Sequence, residues 1–89
     1  HTFIGNGTVV MHDAFINAGA SIGDNCIINS KALIEHDCKI FNHCHISTNA
    51  VINGGVTIED GCFIGSGATT NNSITIKKNS FIKAGSIVK

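Results

Sequence analysis

INSKALIEHDCKIFNHCHIS, running from Ile28 to Ser47, places an isoleucine at every sixth position: Ile28, Ile34, Ile40 and Ile46. Followed outward, the interval holds through Ile4, Val10, Ile16 and Ile22 before this stretch. After it come Ile52, Ile58, Ile64, Thr70, Ile76, Ile82 and Val88, so that Thr70 is the one position in the column that is not aliphatic. Helices repeat every 3.6 residues or so and plain strands every 2, and neither period sustains a register of six. A strict hexad over a whole chain is the mark of a parallel β-helix in which each hexad supplies one short strand and one corner.

A second column lies two residues earlier and is mostly small: Thr2, Thr8, Ala14, Ala20, Cys26, Ala32, Cys38, Cys44, Ala50, Val56, Cys62, Ala68, Ile74, Ser80 and Ser86. Alternate side chains of a strand share a face, so both columns are expected inside, with small residues where a triangular coil leaves least room. Ile74 follows four residues after Thr70, which suggests local compensation of volume. Gly7, Gly19, Asn25, Asn49, Gly55, Gly61, Gly67, Asn79 and Gly85 recur three residues after the column, where a tight corner demands positive φ. Three hexads make one coil of eighteen residues. The chain, residues 1–89, is thus expected to be a single all-β domain of about five triangular coils, roughly 24 Å tall at ~4.8 Å per coil.

Six lysines balance six carboxylates, and no basic run exceeds Lys77-Lys78, so neither nucleic acid nor an anionic membrane is an expected partner. No apolar stretch approaches the roughly 20 residues of a membrane span. His1 is already in register, as in a fragment of a longer chain. Phe3, Phe15, Phe63 and Phe81 each precede a column residue and are expected to point outward. Phe63 and Phe81 share one face with Val9 and Ile27, and an exposed apolar stripe of that kind marks a subunit interface, most simply that of a trimer.

Five histidines break the monotony, three of them (His36, His43, His45) within ten residues. His1, His12 and His43 read as surface polars. His36 sits at a corner between Glu35 and Asp37, either of which could orient the ring and stabilise the imidazolium. Gly54 lies eighteen residues later, one coil above, where a missing side chain leaves a backbone N–H open over the imidazole. A base beside an amide donor is what acyl transfer needs. His45 occupies the outward position held by Val9, Ile27, Phe63 and Phe81 in the other coils. Clustered Cys and His suggest zinc, but Cys26, Cys38, Cys44 and Cys62 all belong to the interior column. They are expected to be buried free thiols, with no metal bound, no covalent nucleophile available, and a reducing, cytoplasmic location.

Hexads with this corner pattern resemble the left-handed parallel β-helix acyltransferases. Within that group, IEHDC followed by HIS in the stretch from Ile28 to Ser47 resembles the bacterial sialic acid O-acetyltransferases and UDP-4-amino-sugar N-acetyltransferases. The left hand of the coil comes from that resemblance. It implies an acetyl-CoA-dependent acetyltransferase acting on an amine or hydroxyl of a sugar or nucleotide-sugar. By position, His36 becomes the general base and Asp37 its orienting acid. Asn29 and His45 line the acceptor site, and the Gly54 amide faces the thioester carbonyl. Gly65, Ser66, Ala84 and Gly85 lie along the pantetheine arm. The family implies a homotrimer with acetyl-CoA between adjacent prisms, and an upstream nucleotide-sugar-binding domain not included in these residues. Competing readings are a non-catalytic trimerisation or ice-binding solenoid and a γ-type carbonic anhydrase. Regular threonine ladders and a pair of histidines five residues apart, which those readings require, are both missing.

Overall fold

A computed structural model describes residues 2–89; the expected surface residue His1 lies outside the described residues. Fifteen two-residue strands, Phe3–Ile4 through Ile87–Val88, are separated by four-residue corners. They stack into three five-stranded parallel sheets, each residue pairing with the one eighteen positions on, as in Phe63↔His45 and Phe63↔Phe81. The result is a triangular β-helix measuring 27 × 23 × 21 Å. One face is built from Phe3–Ile4, Ser21–Ile22, Lys39–Ile40, Thr57–Ile58 and Thr75–Ile76 (the Thr57 face). The next holds Val9–Val10, Ile27–Ile28, His45–Ile46, Phe63–Ile64 and Phe81–Ile82 (the Phe63 face). The third holds Phe15–Ile16, Leu33–Ile34, Val51–Ile52, Thr69–Thr70 and Ile87–Val88 (the Val51 face). Among the described residues no helix is long and apolar enough to cross a membrane.

The two columns are the core. Ile22, Ile28, Ile34, Ile46, Ile52, Ile58 and Ile64 are fully buried, packed with Ala20, Ala32, Ala50, Ala68, Val56 and the four cysteines. Truncating one such isoleucine to alanine costs about 2–5 kcal/mol. Burial fails only at the ends: Ile4 and Val10 of the first coil are 44% and 39% exposed, because an interior side chain is closed off only by coils on both sides. Ile74, expected inside, is half-buried for the same reason.

All four cysteines are free and buried. Their thiols donate to corner carbonyls of the next coil: Cys26 to Phe41 O (3.0 Å), Cys38 to Asn53 O (3.0 Å), Cys44 to Glu59 O (3.1 Å) and Cys62 to Lys77 O (3.0 Å). The adjoining Cys26 thiol and burial push the Cys44 thiol above its ordinary range, and burial raises Cys38. These two are therefore neutral thiols held inside the prism.

The left-handed corner residue is glycine or asparagine at the expected positions, but Asp13, Lys31, Asp37, His43 and Ser73 also adopt φ near 60°. Asp37 is the one that matters for chemistry. Its left-handed backbone fixes the direction of a carboxylate beside His36.

Candidate functional site

At three successive corners, a side chain from one coil reaches toward the N-terminal end and seals the coil beneath. On the edge between the Thr57 and Phe63 faces (the Asn42 edge), Asp24 Oδ1 accepts from Asn6 N, Asn42 Oδ1 from Asp24 N, and Asp60 Oδ1 from Asn42 N, each at 2.8 Å. His36 is turned the other way. Its corner joins the Val51 face to the Thr57 face, and the ring reaches up against Gly54 of the next coil. A Cβ on Gly54 would stand 2.7 Å from His36 Nε2 and 2.8 Å from Cε1. The glycine is thus the space the imidazole fills.

The other ring nitrogen is held from the side. His36 Nδ1 lies 3.2 Å from Asp37 Oδ2, and since a carboxylate only accepts, Nδ1 carries a proton, so that in the neutral ring the lone pair is on Nε2. Both side chains are well exposed, at 61% and 72%, so the contact orients rather than stabilises. Asp37 is itself pinned: its Oδ1 occupies the space left by the missing side chain of Gly19, one coil below. The sequence reading does not single out Gly19; its spacing of eighteen from Asp37 is the signal. Glu35, the other flanking carboxylate, is engaged elsewhere, accepting from Asn17 Nδ2 at 2.9 Å. Asp37 is therefore the partner.

Gly54 is buried, its carbonyl accepts from Ser73 N (2.9 Å), and its N–H has no partner among the described residues. The same holds for the N–H groups of Thr48, Ser66 and Ala84, spaced one coil apart along the edge between the Phe63 and Val51 faces (the Ser66 edge). Gly65 and Gly85, also expected along the arm, spend their N–H groups on Ile82 O (2.8 Å) and Ser66 O (2.9 Å). Gly65 instead provides closeness: a Cβ there would strike the backbone of the coil above at Ala84 N. Thr48 was missed because only its unpartnered N–H distinguishes it.

His45 is half-buried on the Phe63 face, 3.4 Å from Asn29 Nδ2 through Nε2. It meets Phe63 edge-on (5.2 Å between centroids), and Phe63 stacks on Phe81 at 5.0 Å. With Val9 and Ile27 half-exposed below, the apolar stripe foreseen from the sequence is present. Two groups of expected site residues therefore form, and one chain keeps them apart. His36, Asp37 and Gly54 lie at the vertex opposite the Phe63 face, whereas Asn29, His45, Ser66 and Ala84 lie on that face or its Ser66 edge. A groove of about 210 Å³ lined by Phe3, Phe41 and Asn42 is on the Asn42 edge and touches neither group. No three His, Cys, Asp or Glu side chains among the described residues converge to hold a metal ion. Charge is divided along the axis: residues 1–60 hold six carboxylates and two lysines, residues 61–89 four lysines and no carboxylate.

The model of the bacterial transferase hexapeptide family (six repeats) matches residues 1–36 and 37–72. The chain belongs to the bacterial transferase hexapeptide family. Its coil accordingly takes the left hand of that family's β-helix. Among solved structures, the acetyltransferase domain of PglB from Neisseria gonorrhoeae superposes with a TM-score of 0.98 at 33% identity, covering 99% of this chain and 43% of that one. The same domain in complex with acetyl coenzyme A gives 0.93 at 32% identity, covering 98% of this chain and 44% of that one. A mutant of perosamine N-acetyltransferase from Caulobacter crescentus, in complex with CoA and GDP-perosamine, gives 0.86 at 28% identity, covering 99% and 45%. This hexapeptide chain thus spans less than half the length of the structures it matches. Among curated proteins no match was found.

Proposed function

We propose that the chain is the acyl-transfer domain of an acetyl-CoA-dependent acetyltransferase that acetylates an amine or hydroxyl of a sugar or nucleotide-sugar. The observation that carries this is His36 Nε2, its lone pair free, lying against a glycine whose N–H is unpartnered. Similarity to one acetyltransferase domain bound to acetyl coenzyme A and to a sugar N-acetyltransferase supports this choice of donor and acceptor class.

Acetyl-CoA supplies an electrophilic thioester carbonyl. His36 Nε2 removes the proton of the attacking amine or hydroxyl while the new bond to that carbonyl forms. Gly54 N–H donates to the carbonyl oxygen as charge collects there. Asp37 holds the imidazolium through Nδ1, and the same Nε2–H protonates the sulfur as the C–S bond breaks. Along the Ser66 edge, the Thr48, Ser66 and Ala84 N–H groups are free for amide carbonyls of the pantetheine arm, and Lys83 stands at its upper end for the donor's phosphates.

The working unit in this reading is a homotrimer. Within one prism the His36 vertex faces away from His45 and Asn29. A second copy docking its vertex on the apolar Phe63 face would unite the two groups and exclude water from an otherwise exposed base. Mixing separately inactive variants tests this. His36→Ala and His45→Ala proteins, unfolded and refolded together, should regain activity at about a quarter of the sites by random assortment within a cyclic trimer. If the mixture stays as inactive as its components while wild-type protein is active, sites are not shared and the trimeric reading fails.

A further inference from the structure

Thr70 is the one departure from the aliphatic column, and it causes the one departure from the ladder. The residue following each column position donates its N–H to the column carbonyl one coil up. Asn17 donates to Ile34 O, Asn29 to Ile46 O, Glu35 to Ile52 O, Gly65 to Ile82 O and Asn71 to Val88 O, all at 2.8–2.9 Å. Asn53 alone does not. Its N–H goes to the Thr70 hydroxyl (3.1 Å), and its side-chain amide takes the vacated Thr70 carbonyl (2.7 Å). Thr70 itself is 1% exposed, so a hydroxyl has been buried in an aliphatic core to make this clasp.

What the clasp prevents is legible from two of the three other asparagines at that position; the third, Asn71 of the last coil, leaves the Asn72 N–H without a partner among the described residues. Asn17 Oδ1 accepts from Ala18 N (2.7 Å) and Asn29 Oδ1 from Ser30 N (2.8 Å), each sealing the next residue's N–H. Such a local cap is open to an Asn that precedes a free backbone donor, and Asn17 and Asn29 form it. Asn53 precedes Gly54, and by the same geometry would seal the amide that lies over His36. Held by Thr70, it does not. We propose that Thr70 and Asn53 are positioning residues: the Thr70 hydroxyl keeps Asn53 turned away so that the Gly54 N–H stays open to the developing oxyanion. This rests on the acetyl-transfer reading above and adds to it two residues that touch no substrate.

The test compares Thr70→Val, Thr70→Ser, Asn53→Ala and Thr70→Val/Asn53→Ala in acetyl transfer to an accepted amino-sugar substrate, with thermal unfolding alongside. Valine restores the aliphatic column, so Thr70→Val should unfold no earlier than wild type. It returns Asn53 N–H to the Thr70 carbonyl position and frees the Asn53 side chain to cap Gly54. Its kcat should fall about 10- to 100-fold, somewhat less than outright loss of an oxyanion donor, with KM for acetyl-CoA unchanged. Thr70→Ser should stay near wild type. Removing the capping side chain in the double variant should return most of the lost kcat, a recovery that damage to packing would not show. Thr70→Val with wild-type kcat, or a loss that Asn53→Ala does not relieve, overturns the inference. Wild-type protein that transfers no acetyl group to any sugar overturns the functional reading and this inference with it.

Discussion

The Asn42 edge and the His36 edge are built from the same hexad, with the same left-handed third residue, and differ only in where corner side chains point. On the Asn42 edge the chain seals most of its donors: the N–H groups of Asn6, Asp24 and Asn42 are capped by Asp24, Asn42 and Asp60 of the coil above and that of Lys78 by Glu59 of the coil beneath, while Asp60 N–H has no partner among the described residues. On the His36 edge only Ala18 N is capped, by Asn17, while the N–H groups of His36, Gly54 and Asn72 have no partner among the described residues. The first arrangement spends backbone donors on stacking. The second leaves them at about 4.8 Å intervals beside an imidazole turned against the prevailing direction. A repeat fold needs no special loop to hold a site; it needs an edge where capping is withheld.

Breaking the open edge should have the largest effect. His36→Ala removes the proposed base, and the rate of acetyl transfer should drop by about 10²- to 10⁴-fold with acetyl-CoA affinity intact, measured by steady-state kinetics and calorimetry. An unaltered rate would dismiss His36 as the base. Gly54→Ala comes next. Gly54 does not share the left-handed φ of Gly55, and the atoms nearest an added methyl are those of the His36 ring. The ring should swing aside with little loss of stability, and kcat should fall about 10- to 100-fold. Unfolding of this variant would mean instead that the ring is locked against the backbone.

Sharpening the comparison on the Ser66 edge calls for a milder change. Lys83 adjoins the open Ala84 N–H in the last third of the chain, which has no acidic side chain. Lys83→Gln should raise the Kd for CoA about three- to tenfold at low salt, an effect that screening erases toward 1 M, where the Debye length is near 3 Å. Binding of pantetheine, which lacks the nucleotide, should not change. Equal weakening of both ligands would place the phosphates elsewhere.

The solenoid was legible because its period is a property of the sequence itself: fourteen aliphatic residues and a small-residue column dictate inward and outward, and every buried isoleucine follows. His36, Asp37 and Gly54 were legible as well, since the interval of eighteen converts sequence distance into contact across coils. What the period cannot encode is side-chain direction at a corner. Asp37 and Glu35 look equivalent beside His36 until Asn17 is seen to occupy Glu35. Gly65 and Gly85 look like open backbone until their donors prove to be used in the ladder. Thr70 reads as a gap in the column, to be balanced by volume at Ile74, whereas its hydroxyl is the partner of Asn53 N–H. Each miss concerns a hydrogen bond chosen among near-equal alternatives, and such choices differ by only about 1 kcal/mol.

The sealed edge supplies the smallest expected effect and the control for all the others. Asp60→Ala removes the acceptor 2.8 Å from Asn42 N and leaves that donor to water. Because the site is exposed, solvent replaces most of the lost interaction, and stability should fall by only about 0.5–1 kcal/mol. That corresponds to a few degrees in the unfolding temperature of a domain this size. The acetyl-transfer rate should stay at the wild-type level, because Asp60 lies on the edge that carries neither His36 nor Gly54. The variant's two readouts separate the roles of the edges: stability moves and catalysis does not, the reverse of Gly54→Ala. If Asp60→Ala slowed acetyl transfer as strongly as it lowered the melting point, the division between a sealed structural edge and an open chemical one would be lost. Activity would then track the rigidity of the whole stack rather than the donors left free at one corner.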